Sequence, residues 1–543
     1  MSRPTFLKIW LFVVVAALSF HLGKTPLLDP DEGRNGEVGR EMAATNNYVI
    51  PRLDGMPYLD KPVLYFTVEA ACMKLFGPTE FAARLPALFF TILTAAILFW
   101  FGRRVLGEEE AHVAAIVFLS MPLTFSFART VIFDSALTFF IVGGLIAFYF
   151  AIDQELEASG SWWKRKWSFM AWAAIGLGVL TKGPVAIAVP LLIVIPYALK
   201  RRAFRALWSL GGFAIFVIIV GPWVWAISQI VPDFLHYVLV TETFQRLTTE
   251  SLKRTGPPWY FLPYLIGGAL PWSLFFIHGR GLGSQVGGAE GRSPAILFFW
   301  LWLLIPFVFF SLSQSKRPQY IVPILPALAL LVAAQWTTER RWVGVRLAAI
   351  IFFILGLALF VFPLAHLKIE PLVEAGARAS AIPLAITTLC GAAAFFIKRR
   401  EFALAALTIP IIALPLATEP IFEAMGARRS AKSFVEQIAG AKSLIGLRDY
   451  TGSIQFYVRK PILVITPDAE EFTSNYIARH YDVFANDPNS PVRQTLSLDR
   501  EATYITRSDD GLQHAMLEKS GFRVIASAPY HIAYAARPAG LGE

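Results

Sequence analysis

Charge is what this sequence has least of. Only 16% of its 543 residues are Asp, Glu, Lys or Arg, against about 25% in ordinary soluble domains. Cysteine is nearly absent as well. Cys72 and Cys390 both sit in or beside apolar stretches, which excludes a disulfide framework and a cysteine-built metal site. Internal repeats are missing, and the Gly-rich stretch at 279–291 is the one biased tract. What fills the chain instead is hydrocarbon: 55% of residues are hydrophobic and the mean hydropathy is +0.53.

The apolar residues come in runs. LKIWLFVVVAALSF, LFFTILTAAILFWF and AAIIFFILGLALFVFPLA each approach the roughly 20 residues that cross a bilayer. Such runs recur through the first 420 residues, more than one buried core can absorb, so the chain reads as a polytopic α-helical membrane protein. The net charge of +10 sits in short Lys/Arg clusters between the runs, as topology signals do, and implies no nucleic acid partner. Arg3 and Lys8 precede an apolar run as in a signal peptide, but no small-residue cleavage site follows, so the run is read as an uncleaved first span.

About thirteen spans are expected, the first at 6–22 and the last at 402–421. With the N-terminus in the cytoplasm, Arg103-Arg104, Lys164-Arg165-Lys166, Lys200-Arg201-Arg202, Arg340-Arg341 and Lys398-Arg399-Arg400 all fall inside. The odd number puts the C-terminal region outside. The short spans 168–181 and 184–199, which flank Thr181-Lys182-Gly183-Pro184, could also be one broken helix. The expected division is a transmembrane domain, 1–424, and a small soluble α/β domain, 425–543. The first outer loop, 23–80, is long and acidic. In the soluble region, Ser430–Ala439 reads as a helix, LIGL, PILVI, ATYIT and FRVIASAPYHIAYAA read as strands, and helical patterns lie near Glu470–Arg479 and Leu512–Lys519.

The chemistry-bearing residues crowd the outer boundary. Leu28-Asp29-Pro30-Asp31-Glu32-Gly33-Arg34 reads locally as a helix start, with Asp29 as N-cap and Pro30 at the first helical position. Equally, a carboxylate held there can take a proton from an attacking hydroxyl or amine. In Tyr58-Leu59-Asp60-Lys61-Pro62 the lysine sits where a lipid phosphate would lie, or makes a simple headgroup contact. Asp134 opens an apolar span and is either functional or an ion-pair partner of Arg129. Lys182, and Lys316-Arg317 with Tyr320, place cations on an outer face, against the positive-inside trend; an anionic headgroup or pyrophosphate would account for them.

The ordered motifs PDEGR, YLDKPVLYF, ARLPALFF, RTVIFDSAL, GVLTKGP, PPWYFLPYLIGGALPW and KRPQYIVPILPALALL resemble those of the bacterial aminoarabinose–lipid A transferases. They also resemble the wider polyprenyl- and dolichyl-phosphate-sugar transferases of GT-C type. The resemblance covers about residues 25–335. It implies thirteen transmembrane helices, juxtamembrane helices in the first outer loop and an extracytoplasmic C-terminal domain in a bacterial inner membrane. It also implies an enzyme that moves a sugar from a polyprenyl-phosphate donor to a lipid, glycan or protein acceptor.

By position, the resemblance makes Asp31 the catalytic carboxylate and Asp134 the second acidic residue. Lys61 matches a lipid-phosphate lysine, and Lys316 with Tyr320 the Lys-x-Pro-x-Tyr motif. Lys182, Arg317 and Tyr58 join the donor-binding candidates; Glu32, Arg34 and Asp60 are candidates for the acceptor side. The loop 251–256 has no histidine where relatives can supply a metal ligand, and His236 is out of register. No cofactor is assigned, a divalent metal lacks that ligand, and Lys253 or Arg254 would supply positive charge instead. The alternative is a lipid or sugar transporter or flippase, which would place charges near the midplane and show repeats.

Overall fold

The computed structural model describes residues 2–156, 166–245, 256–276, 293–337, 341–364 and 370–536. The chain divides into two compact units, one of Met1–Leu22 with Pro86–Pro420, the other of Gly23–Leu85 with Ile421–Glu543.

Every expected span coincides with helix. Among the described residues, eight helices are long and apolar enough to cross a bilayer, and Glu108–Leu119 with Pro122–Ala128, bent by 67°, makes a ninth if counted as one span. Arg3–Ser19, Lys166–Lys182 and Val185–Arg201 have 17 residues each, which at 1.5 Å per residue is about 26 Å, close to a hydrocarbon core of about 30 Å. The 259–277 segment is two pieces, Phe261–Gly268 and Trp272–Phe276, because the residue before Pro271 is pushed out of helical geometry. Trp272 anchors the second piece by donating from Nε1 to Ser120 Oγ at 3.1 Å, beside the bend at residues 120–121.

The Thr181–Pro184 stretch is a hairpin between two helices. A Cβ on Gly178 would lie 2.9 Å from Ala186 Cβ, whereas one straight helix would hold residues eight apart about 12 Å from each other. Gly183 makes the reversal at φ +82°, a conformation that costs other residues a Cβ clash.

In the second unit, the first outer loop forms helix α1 (Asp31–Thr45), the ribbon β1 (Arg52–Leu53) and β2 (Met56–Pro57), and helix α2 (Leu64–Phe76). Asp54 and Gly55 both have positive φ, +55° and +78°, which is what a two-residue Asp-Gly hairpin turn requires. The C-terminal segment is a six-stranded mixed sheet of β3 (Ser443–Leu447), β4 (Leu463–Ile465), β5 (Val492–Arg493), β6 (Ala502–Arg507), β7 (Phe522–Ser527) and β8 (His531–Ala536), in the order β5-β4-β3-β6-β8-β7. Strands β3 to β6 pair in parallel; β8 is antiparallel to both β6 and β7.

Successive strand residues face opposite sides of the sheet. Leu444 and Ile505 therefore join Phe434, Val435 and Ile454 on one side. Ile445 and Tyr504 join Leu517 and Phe522 on the other. Helices Lys432–Ile438 and Gly452–Val458 cover the first side and Gly511–Lys519 the second.

Candidate functional site

The carboxylates of the 29–34 motif go to three different partners. Asp29 does not cap α1, which begins at Asp31 with Pro30 at the cap position. Its carboxylate instead accepts from the Ser453 amide at 3.1 Å and from the Ser453 hydroxyl, so the expected N-cap is corrected. Burial pushes the Asp29 carboxyl up to about 7, against the two Ser453 hydrogen bonds that pull it down. Glu32 is buried and ion-paired with Arg84, whose Nε and Nη2 lie 2.9 and 2.8 Å from its two oxygens. Arg84 also donates to the carbonyls of Thr25 and Pro26, so this pair pins the loop entrance.

Asp31 is the exposed member, with 40% of its side chain accessible, and it accepts from Arg34 Nη2 at 2.6 Å. Burial alone would lower the Arg34 pKa, but neighbouring Tyr58, Asp31 and Asp60 raise it. The Arg34 guanidinium thus holds the Asp31 carboxylate in place. Tyr58 is buried, its ring edge-on to Phe66 at 5.8 Å.

Asp60 is buried and accepts from the Ser474 hydroxyl at 3.2 Å and from the amides of Asn475 and Tyr476 at 2.9 and 3.0 Å. It therefore caps helix Asn475–Arg479 from a neighbouring segment. Lys61 donates to the Asp60 carbonyl. Among the described residues, no three His, Cys, Asp or Glu side chains converge on a metal position.

In the first unit, Asp134 and Lys182 meet. The Lys182 ammonium bonds the buried Asp134 carboxylate and lies 5.1 Å from the centre of the Tyr320 ring. Arg129, the other partner considered for Asp134, donates to the Leu18 carbonyl at 2.6 Å. The Tyr320 hydroxyl is 3.5 Å from Ser315 Oγ. Lys316 is buried, donating to the carbonyls of Ser311 (2.8 Å) and Ser313 (2.5 Å). Burial lowers its pKa from the ordinary lysine value. Arg317 stands at the start of the short helix Pro318–Ile324. Two of the three lysine N–H donors on Lys316 are thus fixed by backbone, which aims the third.

Lys253 and Arg254 lie outside the described residues, as does the 279–291 stretch. Sequence reasoning named Asp134 and Lys182 separately; their opposite charges at one membrane boundary were the signal that they belong together. It missed Arg84, Ser453 and the engagement of Asp29, for which no local pattern exists.

A membrane unit with broken helices and a unit built on a mixed sheet make up a chain of GT-C fold. Residues 40–238 match the family described as dolichyl-phosphate-mannose-protein mannosyltransferase. Within that class, the chain is similar to the undecaprenyl phosphate-alpha-4-amino-4-deoxy-L-arabinose arabinosyl transferases. It is 32% identical to that of Aeromonas hydrophila over 58% of this chain and 56% of the relative. It is likewise 32% identical to that of Edwardsiella ictaluri over 64% and 63%. The chain thus spans less than two thirds of the length of these relatives.

The fold is shared along the whole chain with the crystal structure of ArnT from Cupriavidus metallidurans bound to undecaprenyl phosphate. There the TM-score is 0.85, identity 25% and coverage 100% of both chains. The apo form gives 0.79, 26% and 98% of both. The protein is a multi-pass membrane protein of the GT-C type.

Proposed function

We propose that the chain transfers a sugar from a polyprenyl-phosphate donor to an envelope acceptor (lipid A, another glycan, a glycolipid or a protein) by a single inverting displacement. The reaction runs at the outer face of the bacterial inner membrane, with the N-terminus cytoplasmic and the 425–543 domain extracytoplasmic. The observation that carries this reading is the full-length likeness to the ArnT structure bound to undecaprenyl phosphate, beside the similarity to undecaprenyl phosphate-sugar arabinosyl transferases.

The phosphate leaves as an anion and needs no general acid. The chemistry then requires a carboxylate to orient or deprotonate the nucleophile, and cations to meet the departing charge. Asp31 takes the first role: exposed and held by Arg34 at 2.6 Å, it is a positioned weak base. Asp134 aims Lys182 through their ion pair, and Lys182, Lys316 and Tyr320 offer donors to phosphate oxygens. Lys61, Arg317 and Tyr58, with Lys253 and Arg254, complete the donor-binding candidates. Glu32 and Asp60, buried in ion-pair and capping roles, support the loop, and Arg34 sets the Asp31 carboxylate.

The test is transfer by purified protein from a polyprenyl-phosphate sugar. Replacing one carboxylate oxygen in Asp31→Asn is expected to lower kcat by about 100-fold or more with an unchanged melting temperature. Lys316→Ala is expected chiefly to raise the KM for donor. Transfer by the Asp31→Asn variant within a few-fold of the parent would remove Asp31 from the role of base.

A further inference from the structure

The soluble unit contains a cavity of about 670 Å³ that none of the chemistry above uses. Its volume falls in the range of small-molecule sites, roughly 300–1,000 Å³. At its floor, His531 Nδ1 is 2.6 Å from Asp449 Oδ2, both side chains being buried. Thr451 donates to the other Asp449 oxygen at 3.1 Å. Nε2 is then the remaining hydrogen-bonding atom of a ring whose orientation is fixed.

One wall carries Tyr530. Arg428 Nε donates to its hydroxyl at 2.8 Å and the guanidinium stacks at 5.8 Å from the ring centre. The turn that presents Tyr530 is itself held, by Ala528 N to His531 O at 2.8 Å and by the Ser508 hydroxyl to Pro529 O at 2.7 Å. Even so, Tyr530 is 42% exposed. The paired strand carries Arg507, level with His531, paired with Asp509 at 3.0 Å and facing Glu471 at 4.0 Å.

Three arginines and four carboxyl residues line this space together with His531. A lining of both signs in near balance gives no field for a polyanion. Planar guanidinium and carboxylate groups offer paired donors and paired acceptors, which match the alternating hydroxyls of a sugar ring. An exposed, fixed tyrosine provides an apolar face for the ring's C–H side with a polar edge beside it. We propose that this cavity binds a neutral saccharide unit. Binding here requires neither the donor nor Asp31, although Asp29 and Pro30 of the lining immediately precede Asp31 in the chain.

The experiment uses the full-length protein in nanodiscs, titrated with N,N′-diacetylchitobiose and with maltose and followed by saturation-transfer NMR. Saturable binding of at least one disaccharide is expected. Tyr530→Ala should weaken it about tenfold or more, Tyr530→Phe should largely retain it, and the surface change Lys519→Ala should leave it alone. His531→Gln, which keeps the buried floor filled, should also weaken binding, and melting temperatures establish that each variant is folded. No saturable binding of either disaccharide overturns the proposal. So does binding that survives both Tyr530→Ala and His531→Gln, or displacement of the sugar by inorganic phosphate, which would mark an anion site instead. Sugar transfer measured on the same variants separates this outcome from the fate of the transferase reading.

Discussion

At the scale of single residues, adjacent carboxylates in one motif have unlike environments and so unlike uses. Glu32 is buried against Arg84, and breaking a buried pair by removing one charge leaves the other unsatisfied. Glu32→Gln is therefore expected to destabilise by about 3–5 kcal/mol, read as a lower thermal or denaturant midpoint. The double variant Glu32→Gln/Arg84→Met should recover part of that loss. If the single change instead left stability intact and reduced turnover, Glu32 would be a reacting group.

Asp31 was legible in the sequence as a candidate, because its motif and order along the chain point to it. What could not be read was which neighbour stays exposed. Asp29, Asp31 and Glu32 are alike as letters, and the distinction is made by Ser453, Arg34 and Arg84, two of which are distant in sequence.

At the scale of elements, α1 and the β1–β2 ribbon carry a set of carboxyls that burial makes reluctant to ionise. Desolvation pushes Glu37 up to about 7, opposed by its bonds to Arg40. Asp54 goes to about 8, opposed by the Ile462 amide. Asp29, at about 7, belongs with them. All three are raised above their unfolded values. The folded state then holds more protons than the unfolded one between about pH 4 and pH 8, and its stability falls as pH rises through that window.

The melting temperature of the full-length protein should accordingly be higher at pH 5 than at pH 8. Asp54→Asn, which keeps an acceptor for the Ile462 amide, should flatten the difference; a parent protein equally stable at both values would contradict the burial argument. The secondary structure itself was largely visible. Apolar runs and strand alternation located the helices and β3, β4, β6, β7 and β8. The helix Gly452–Val458 escaped, because seven residues of mixed character carry no readable period. That short helix is the one that brings Ser453 to Asp29.

At the scale of the whole molecule, the thirteen apolar segments, the basic clusters and an odd number of crossings give the proposed orientation. A reporter that is active only outside the cytoplasm, fused at residue 425, should be active, and the same reporter fused after Arg104 should be silent. The opposite pattern would invert the assigned faces. Organisation beyond that count was not in the sequence, since composition assigns 23–80 to a loop between spans. Its residues in fact form a unit with 421–543, because Asp29, Asp54 and Asp60 find their hydrogen-bond donors in the C-terminal segment.

Those partners stand more than 400 positions further along the chain, 424 in the case of Asp29 and Ser453. During synthesis the N-terminal segment emerges long before the residues that complete it, so three carboxylates wait, hydrated, until the segment that carries their donors has been made. Closure of this unit is thus a late event in synthesis. A product truncated before Ser453 would keep the three carboxylates but lose the donors that Ser453, Ile462 and Ser474 bring to them, and the first outer loop would have no sheet unit to fold against.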